Sequence, residues 1–348
     1  MALTRRTRNR TVLVSEPGGT FTVTETPVRE PGPGEVRVAV EACGICHSDV
    51  SVVDGQLPGT AFPLTPGHEI AGRVEALGDG VTGVRKGQRV ACGYIAGTCG
   101  RCEACRSGDS VNCVEAQTPG VSYPGGFADT VVLPESALSL VPDGLASADA
   151  AALACAGLSA FNALRNSAAR PGDLVAVQGL GGVGHLAVRI AARMGFETVA
   201  VARGREKARL AVDLGADHYI DSTEQDVART LTEYGGGYGG AKVVVSTVTD
   251  AAATTSALGG LGRRGELVLV GIAPEDLRIS GWELIGGTKK VYGLISGTTL
   301  DREEMFRFAV RTGIRPWTEQ VPLEEVSAAY ARMLAGEARF RMVLTTGH

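Results

Sequence analysis

The chain has 348 residues and a formal net charge of −4; 44% of its residues are hydrophobic and 21% are charged. This composition excludes a disordered chain and is typical of a globular protein with about two domains. A net negative charge gives no general attraction to nucleic acid or anionic lipid, and the sequence has no run of 18 apolar residues that could span a membrane. We therefore expect neither nucleic acid nor a membrane as a partner.

The N-terminal ten residues are basic, and the apolar run that follows, 11–14, is short. A secretory signal needs roughly 7–15 apolar residues, so this segment does not resemble one. We expect a cytoplasmic protein. In that compartment, clustered cysteines are reduced and are more often metal ligands than disulfides.

The chain shows two successive patterns. Short β segments separated by Gly- and Pro-rich turns fill residues 11–145, which predicts a mainly β, Greek-key barrel-like domain over 1–150. Strands and helices then alternate, which predicts a doubly wound parallel sheet of the Rossmann type over 151–290. The helices and the strand after 291 are expected to return to the first domain. The predicted fold class is α/β with a second, mainly β domain.

A loop at 92–115 carries four cysteines with the spacing C-x2-C-x2-C-x7-C. Two-residue gaps let the chain double back so that four thiolates surround one Zn²⁺, and a closed set of this kind leaves no open coordination position. An iron–sulfur cluster is the alternative, because tight C-x2-C-x2-C runs also bind it. We expect a structural zinc lobe with the ligands Cys99, Cys102, Cys105 and Cys113.

A G-x-G-x-x-G motif follows an apolar strand at 174–177 and opens a helix. In this context the motif is the dinucleotide fingerprint. Gly179 makes the tight turn, Gly181 lets the backbone approach the pyrophosphate, and Gly184 lets the helix pack closely on the strand. The helix N-terminus then offers N–H donors to the phosphates. The residues expected at the cofactor are Gly179, Gly181, Gly182, Val183 and Gly184.

The end of the next strand indicates which cofactor is bound. NAD sites usually place Asp or Glu there, about 20 residues after the glycine motif, to bind the ribose hydroxyls. This chain has Arg203, with Arg205 and Lys207 close behind. A guanidinium can pair with a 2′-phosphate, so we favour NADP(H) over NAD(H). The alternative is that these basic residues only begin a solvated helix.

Metal-capable residues occur in three further segments, 43–49, 66–69 and 153–157. They read Cys-Gly-Ile-Cys-His-Ser-Asp, Pro-Gly-His-Glu and Leu-Ala-Cys-Ala-Gly, and together they offer thiolates, an imidazole and carboxylates. With the four-cysteine loop and the glycine motif, in this order, they resemble the medium-chain zinc-dependent alcohol dehydrogenases. The resemblance covers about residues 11–345.

The resemblance implies a catalytic zinc bound by Cys46, His68 and Cys155, with a fourth position for water or the substrate oxygen. With the four-cysteine lobe, the chain would then hold two Zn²⁺ ions. It also implies that Ser48 lies on the proton path from the substrate hydroxyl and that Asp49 orients His68. The other implied residues are Glu69, a carboxylate near the zinc, and His47 and Arg341, which would bind the cofactor.

This sequence departs from the family pattern in two places. The family often has a relay histidine two residues past the aspartate, where this chain has Ser51. Positions beside the site that often carry tryptophan are Val53, Leu57 and Tyr94 here, which predicts a substrate pocket wider than ethanol needs. Family members are dimers or tetramers, so a homodimer or homotetramer is expected.

Three functions are compatible with these residues. The first is reversible hydride transfer between NADP(H) or NAD(H) and a primary or secondary alcohol or its aldehyde or ketone, with zinc as the Lewis acid. The second is reduction of a polarised C=C or C=N bond by NADPH on the same scaffold. The third is a zinc- and nucleotide-binding protein without turnover. The presence of Ser48 and of all three zinc ligands favours the first.

Overall fold

The computed structural model describes residues 7–348, so the first six residues of the basic N-terminal segment lie outside the described residues. The chain forms two compact units. The first contains the described residues up to Leu158 together with Ser296–His348, and the second contains Ser159–Ile295. The first boundary falls later than the expected one at 150 because the helical stretch Ser147–Arg165 continues through that position. The second falls later than 290 because a further strand follows there.

The described residues contain fifteen strands. They are β1 (Arg8–Leu13), β2 (Thr22–Pro27), β3 (Glu35–Gly44), β4 (Glu69–Leu77), β5 (Arg89–Cys92), β6 (Thr130–Pro134), β7 (Ser139–Leu140), β8 (Leu174–Gln178), β9 (Glu197–Ala202), β10 (His218–Asp221), β11 (Ala241–Ser246), β12 (Leu261–Leu269), β13 (Lys290–Gly293), β14 (Thr318–Pro322) and β15 (Arg341–Thr345).

The α-helices are mostly short. Those in the described residues are α1 (Ser48–Val53), α2 (Glu103–Arg106), α3 (Ser147–Ala152), α4 (Leu158–Arg165), α5 (Gly184–Arg193), α6 (Ala208–Leu214), α7 (Val227–Tyr234), α8 (Ala251–Gly259), α9 (Gly281–Gly287), α10 (Thr299–Thr312) and α11 (Val326–Leu334). A π-helical turn, Leu153–Gly157, connects α3 to α4.

The first unit is built on a mainly antiparallel sheet with the strand order β14-β15-β3-β4-β5-β7, and β6 pairs with β3. β14 and β15 are parallel to each other, and β1 pairs with β2 in a separate two-stranded sheet. Apolar side chains from β3 and its neighbours form the core, with Val36, Val38 and Val40 fully buried. The chain returns from the second unit to add β14 and β15, as expected for residues after 291.

The second unit is a six-stranded parallel sheet with the order β10-β9-β8-β11-β12-β13. This is the strand order 3-2-1-4-5-6 of the Rossmann fold, in which ligands bind at the carboxyl ends of the strands where the order reverses. Every residue of β8 is buried, as expected for a strand covered on both faces. The predicted doubly wound sheet and the separate β domain are therefore confirmed.

The helical stretch Ser147–Arg165 is long and apolar enough to cross a membrane by length and composition. However, 89% of its apolar window is buried inside the protein, which is the environment of a core helix. Its π-helical turn carries Cys155, and π-helical turns inside α-helices occur frequently at functional sites.

Candidate active site

Strand register brings two of the predicted metal ligands together. β3 and β4 are antiparallel neighbours, and Gly44 at the end of β3 lies opposite Glu69 at the start of β4. Cys46 follows β3 by two residues, and His68 immediately precedes β4. Residues 22 positions apart in the sequence therefore meet at one end of the sheet.

The His68 ring is buried and is held by one carboxylate. Its Nδ1 atom lies 3.0 Å from Asp49 Oδ1, and Asp49 also accepts a hydrogen bond of 2.9 Å from the Cys46 backbone N–H. Burial opposes protonation of the ring, but Asp49 raises the pKa of His68 well above its usual range. The other ring nitrogen, Nε2, is buried and has no hydrogen-bond partner among the described residues. Asp49 thus leaves Nε2 available to a ligand.

Cys155 completes a compact donor set. The ligand atoms of Cys46, His68, Glu69 and Cys155 all lie within 4.8 Å of one another, and all four residues are buried. Zinc binds cysteine sulfur at about 2.3 Å and histidine nitrogen at about 2.0–2.1 Å, so one ion can reach all three S and N donors. The hydrogen bond from Cys155 lowers the pKa of the Cys46 thiol well below its usual range, against the effect of burial. The orphaned Nε2 and two adjacent thiols fit a zinc ion.

Glu69 lies beside this set but is engaged by a cation. Its Oε2 atom accepts a hydrogen bond from Arg341 Nη2, and both side chains are buried. Burial raises the pKa of Glu69 to about 8, although Arg341 acts in the opposite direction. The second oxygen, Oε1, has no partner among the described residues. A metal ion bound by Glu69 would therefore either share this carboxylate with Arg341 or replace Arg341 as its partner.

Two further side chains contact the donor set. Ser48 begins α1, and its Oγ atom lies 3.6 Å from Cys46 Sγ. The ring of Tyr94 packs edge-on against His68, with ring centroids 5.3 Å apart. A hydroxyl and a half-buried aromatic ring therefore lie next to the residues that would hold the metal.

The four cysteines of the loop 92–115 form a second cluster, with all sulfur atoms within 4.8 Å of one another. Cys99 and Cys113 are the first and the last of these four cysteines, and their sulfurs are 3.6 Å apart. Backbone N–H groups point at the sulfurs: the N–H of Cys102 donates to Cys99 Sγ at 3.3 Å and that of Cys105 to Cys102 Sγ at 3.5 Å. The latter bond lowers the pKa of Cys102 to about 6. Such N–H groups stabilise the thiolates that a closed metal site requires.

The other two cysteines lie outside both clusters. Cys43 in β3 and Cys92 in β5 are fully buried. Burial raises the pKa of Cys92 to about 11, and that of Cys43 also rises well above its usual value. They are core thiols and belong to neither metal set.

The glycine loop of the second unit has the geometry that its sequence predicts. Gly179 has φ +99°, which side chains rarely adopt, and a Cβ there would lie 2.6 Å from Thr247 Oγ1. A Cβ at Gly184, the first residue of α5, would lie 1.8 Å from Gly179 O, so helix and strand are in direct contact. A Cβ at Gly181 would meet no atom within 4 Å. Space is therefore open at the glycine expected to admit the pyrophosphate, and Gly182 and Val183 follow it directly.

The segment after β9 is held by β10. The Gly204 N–H donates to Asp221 Oδ1 at 2.9 Å, and the Tyr219 hydroxyl donates to Gly204 O at 2.6 Å. Arg203 is exposed next to this glycine. Arg205 is engaged by a carboxylate, since its Nε donates to Glu224 Oε2 at 2.5 Å. The structure thus distinguishes the two arginines by their surroundings, since Arg205 pairs with a carboxylate and Arg203 is exposed. The sequence alone does not distinguish them.

Comparison with known proteins assigns the chain to a family. Residues 32–143 match the "Alcohol dehydrogenase GroES-like domain", and residues 182–311 match "Zinc-binding dehydrogenase". An alcohol dehydrogenase of Aspergillus sp. (strain MF297-2) is 41% identical over 331 residues, which are 95% of this chain and 96% of the relative. The chain belongs to the medium-chain zinc alcohol dehydrogenase family. It is an oxidoreductase of alcohols and carbonyl compounds.

Solved structures of relatives superpose over nearly the whole of this dehydrogenase. The CAD of Helicobacter pylori, complexed with NADP(H), has a TM-score of 0.86 at 26% identity and covers 98% of both chains. The acetophenone reductase of Geotrichum candidum, in complex with NAD, has a TM-score of 0.85 at 28% identity. That likeness covers 99% of this chain and 98% of the other. These structures differ in the dinucleotide they contain.

The structure brings several of the predicted site residues close together. Both metal sets come together, and Asp49, Ser48 and Tyr94 contact the first of them. Val53 and Leu57 pack in an apolar cluster with Val14 and Leu64, and their place in the substrate pocket stays a prediction. Arg341 contacts Glu69, and its predicted role at the cofactor stays a prediction, as does that of exposed His47.

The sequence reasoning missed one buried charge near the site, Arg302 of α10. Its position was visible in the sequence, because Arg302, Met305, Phe306 and Ala309 have the spacing of one helix face, and that face is buried. The contact between Glu69 and Arg341 gave no such signal, since 272 residues separate the two.

Proposed function

We propose that this dehydrogenase transfers hydride reversibly between an alcohol and NADP(H) with one catalytic zinc ion bound by Cys46, His68 and Cys155. The observation that carries the proposal is the buried, unpartnered Nε2 of His68 beside two thiols. A buried polar atom without a partner costs free energy that a metal ion would recover. An ion bound there supplies a Lewis acid that favours the deprotonated form of the substrate hydroxyl.

Ser48 is the residue best placed to take the hydroxyl proton, because its Oγ atom lies beside the donor set. A bound nicotinamide would supply the hydride acceptor for alcohol oxidation and the hydride donor for carbonyl reduction, and Ser48 would pass the hydroxyl proton in either direction. Ser51 lies three residues further along α1. A serine hydroxyl can pass a proton on but cannot take up an additional proton near neutral pH, as an imidazole with pKa ~6.5 does. At the position of Ser51, the proton path therefore has no histidine to take up the proton.

A second zinc ion in the four-cysteine loop is part of the proposal. The sulfur cluster and its N–H donors support a closed structural site. Because four protein sulfurs fill a tetrahedral site, this ion would stabilise the loop and take no part in the reaction.

The NADP(H) preference is supported by charge at the end of β9. The relatives with known structures contain either dinucleotide, so family membership does not decide between them. Arg203 is exposed beside Gly204, where NAD sites place an acidic residue. Arg205 is already paired with Glu224, so Arg203 is the stronger candidate for a 2′-phosphate contact.

We further propose a cytoplasmic homodimer or homotetramer. β13 is the edge strand of the second unit's sheet. Three large apolar side chains of the same unit are highly exposed: Ile272, Trp282 and Ile285. An open strand edge and exposed apolar side chains are features of subunit interfaces.

The test is a steady-state assay of purified protein with NADPH and NADH against a panel of aldehydes, ketones and enals. We expect reduction of the carbonyl group, loss of activity when a chelator removes zinc, and recovery when zinc is returned. The His68→Ala variant should be inactive and should still bind nucleotide. Unchanged turnover without zinc would refute the catalytic zinc, and reduction of the C=C bond of enals would favour the alternative chemistry.

A further inference from the structure

Arg302 is the largest of the fully buried side chains in the described part of the chain. It lies on the buried face of α10 with apolar neighbours at helical spacing. A fully buried guanidinium is unusual, because desolvating a charge costs free energy unless the surroundings compensate for it. Its position therefore calls for a physical reason.

The Arg302 guanidinium connects three elements. Its Nε donates to the Ala154 carbonyl at 3.2 Å, and its Nη1 donates to the Ala137 carbonyl at 3.3 Å and to Ser139 Oγ at 3.0 Å. Ser139 Oγ in turn donates to the Thr299 carbonyl at the start of α10. The carbonyl that Nε holds belongs to the π-helical turn, one residue before Cys155.

The same side chain also packs on the segment that carries Tyr94. A Cβ at Gly93 would lie 2.9 Å from Arg302 Nη2 and 2.5 Å from the Ala154 carbonyl oxygen. Gly93 thus lets strand, arginine and π-helical turn meet directly. Tyr94 is the residue after Gly93 and contacts His68. Arg302 therefore contacts two segments that carry residues of the metal site, the π-helical turn with Cys155 and the segment with Tyr94.

None of the three hydrogen bonds of Arg302 goes to a carboxylate, and Nη2 has no partner among the described residues. Burial lowers the pKa of Arg302, because desolvation penalises the charged guanidinium, and Asp301 and Glu303 of its own helix only partly oppose this effect. The side chain is therefore held by backbone carbonyls and a hydroxyl instead of by a carboxylate.

We propose that Arg302 is a positioning residue for the metal ligand Cys155: by holding the Ala154 carbonyl it fixes the π-helical turn in the geometry that binds the catalytic zinc. Single π-helical turns inside α-helices occur frequently at functional sites, and here a donor from outside the helix binds a carbonyl of that turn. The inference rests on the proposed catalytic zinc. It adds a residue that touches neither substrate nor cofactor.

The experiment compares Arg302→Met and Arg302→Lys with Arg37→Met. Arg37 is the matched control, since it is also a buried arginine of the first unit and is bound to Glu30 and Glu75 instead of the π-helical turn. Zinc release to a chelator is followed with a colorimetric indicator. The phase of zinc release that is absent in His68→Ala is assigned to the catalytic zinc ion. The absorption of the cobalt-substituted proteins in the thiolate-to-metal region gives a second readout.

We expect Arg302→Met to release the catalytic zinc about tenfold faster, the lower end of the effect of losing a residue that orients a metal ligand. The cobalt band should shift, and Arg37→Met should change neither readout. Arg302→Lys keeps the charge but not the planar set of donors, so it should resemble Arg302→Met. If Arg302→Met does not fold, Ser139→Ala removes one of the three hydrogen bonds and should accelerate release in the same direction, by about two- to threefold.

The inference is overturned if Arg302→Met, Arg302→Lys and Ser139→Ala keep the parent's release rate and cobalt spectrum while only their thermal stability falls, as in Arg37→Met. That result would mean that Arg302 stabilises the packing of α10 and does not position Cys155. A different result, in which the parent itself lacks the release phase that depends on His68, would refute the proposed catalytic zinc and not only the role of Arg302.

Discussion

Replacing Arg203 by aspartate is expected to reverse the cofactor preference of this dehydrogenase. The change should be local, because the segment after β9 is held by other residues. Asp221 and Tyr219 bind the N–H and the carbonyl of Gly204, and neither bond involves the Arg203 side chain. The substitution therefore alters the charge that a ribose 2′-position would meet while the backbone stays in place.

The size of the effect follows from the exposure of Arg203. A hydrogen bond to a charged group contributes about 1.5–3 kcal/mol, and an exposed side chain is expected at the lower end of this range. About 1.5 kcal/mol corresponds to a roughly tenfold preference of the parent for NADPH. The aspartate removes this attraction and adds repulsion of similar size, so the ratio of kcat/KM for NADPH over NADH should fall by about a hundredfold.

The assay is steady-state reduction of one aldehyde with each cofactor, in the parent, Arg203→Asp and Arg209→Asp. Arg209 makes the matched control because it is an exposed arginine of α6 that pairs with Asp213. Its replacement changes the net charge equally and should leave the ratio within about twofold. A parent enzyme that already prefers NADH would show that Arg203 is part of a solvated surface and binds no phosphate.

Three further predictions concern the proton path, the zinc lobe and a surface ion pair. Ser48→Ala should lower kcat by about 10²–10⁴, the usual scale for one positioned proton-transfer group, while Ser48→Thr keeps the hydroxyl and should be mild. Cys102→Ser should lower the midpoint of thermal unfolding and the soluble yield, because a closed metal site contributes folding free energy. Glu319 accepts a hydrogen bond from the Arg339 backbone N–H and pairs with Arg332, which together hold its pKa below the usual value. A carboxylate whose pKa is lowered in the folded state stabilises the fold at pH values above its unfolded-state pKa of about 4.3, and this stabilisation is lost as the pH falls through the folded-state pKa. The Glu319→Gln variant should therefore be less stable than the parent at pH 7. The difference in stability between the two proteins should narrow below about pH 4.

Each of these predictions can fail visibly. Full activity of Ser48→Ala would mean that no proton leaves through this hydroxyl. A Cys102→Ser protein with parental stability would show that the lobe needs no closed metal site. A difference in urea-unfolding free energy between Glu319→Gln and the parent that is constant with pH would assign the effect of Glu319 to packing.

The sequence was sufficient for the features that depend on spacing along the chain. The two-residue cysteine gaps predicted the lobe, and the glycine motif predicted the turn at Gly179 and the close contact at Gly184, because each depends on a few consecutive residues. The catalytic donor set was different. Cys46, His68 and Cys155 are far apart in sequence, and at the level of sequence only the family resemblance connects them.

Contacts between distant segments could not be predicted. The pairing of Glu69 with Arg341 depends on β15 joining the sheet beside β3, which no local pattern encodes. Likewise, Arg203 and Arg205 are equivalent as sequence, and only the position of Glu224 separates them. The first compact unit continues to Leu158, past the expected boundary at 150, because the small-residue composition after 146 marks the start of a helix that runs through this position.

The central claim is that His68, with Cys46 and Cys155, holds a zinc ion distinct from the one in the four-cysteine loop. Counting metal ions per folded chain by native mass spectrometry tests it most directly, in the parent and in His68→Ala. The account predicts two zinc ions in the parent and one in the variant, which stays folded and binds nucleotide. Equal zinc content in the two proteins, or iron in the four-cysteine loop, would contradict it.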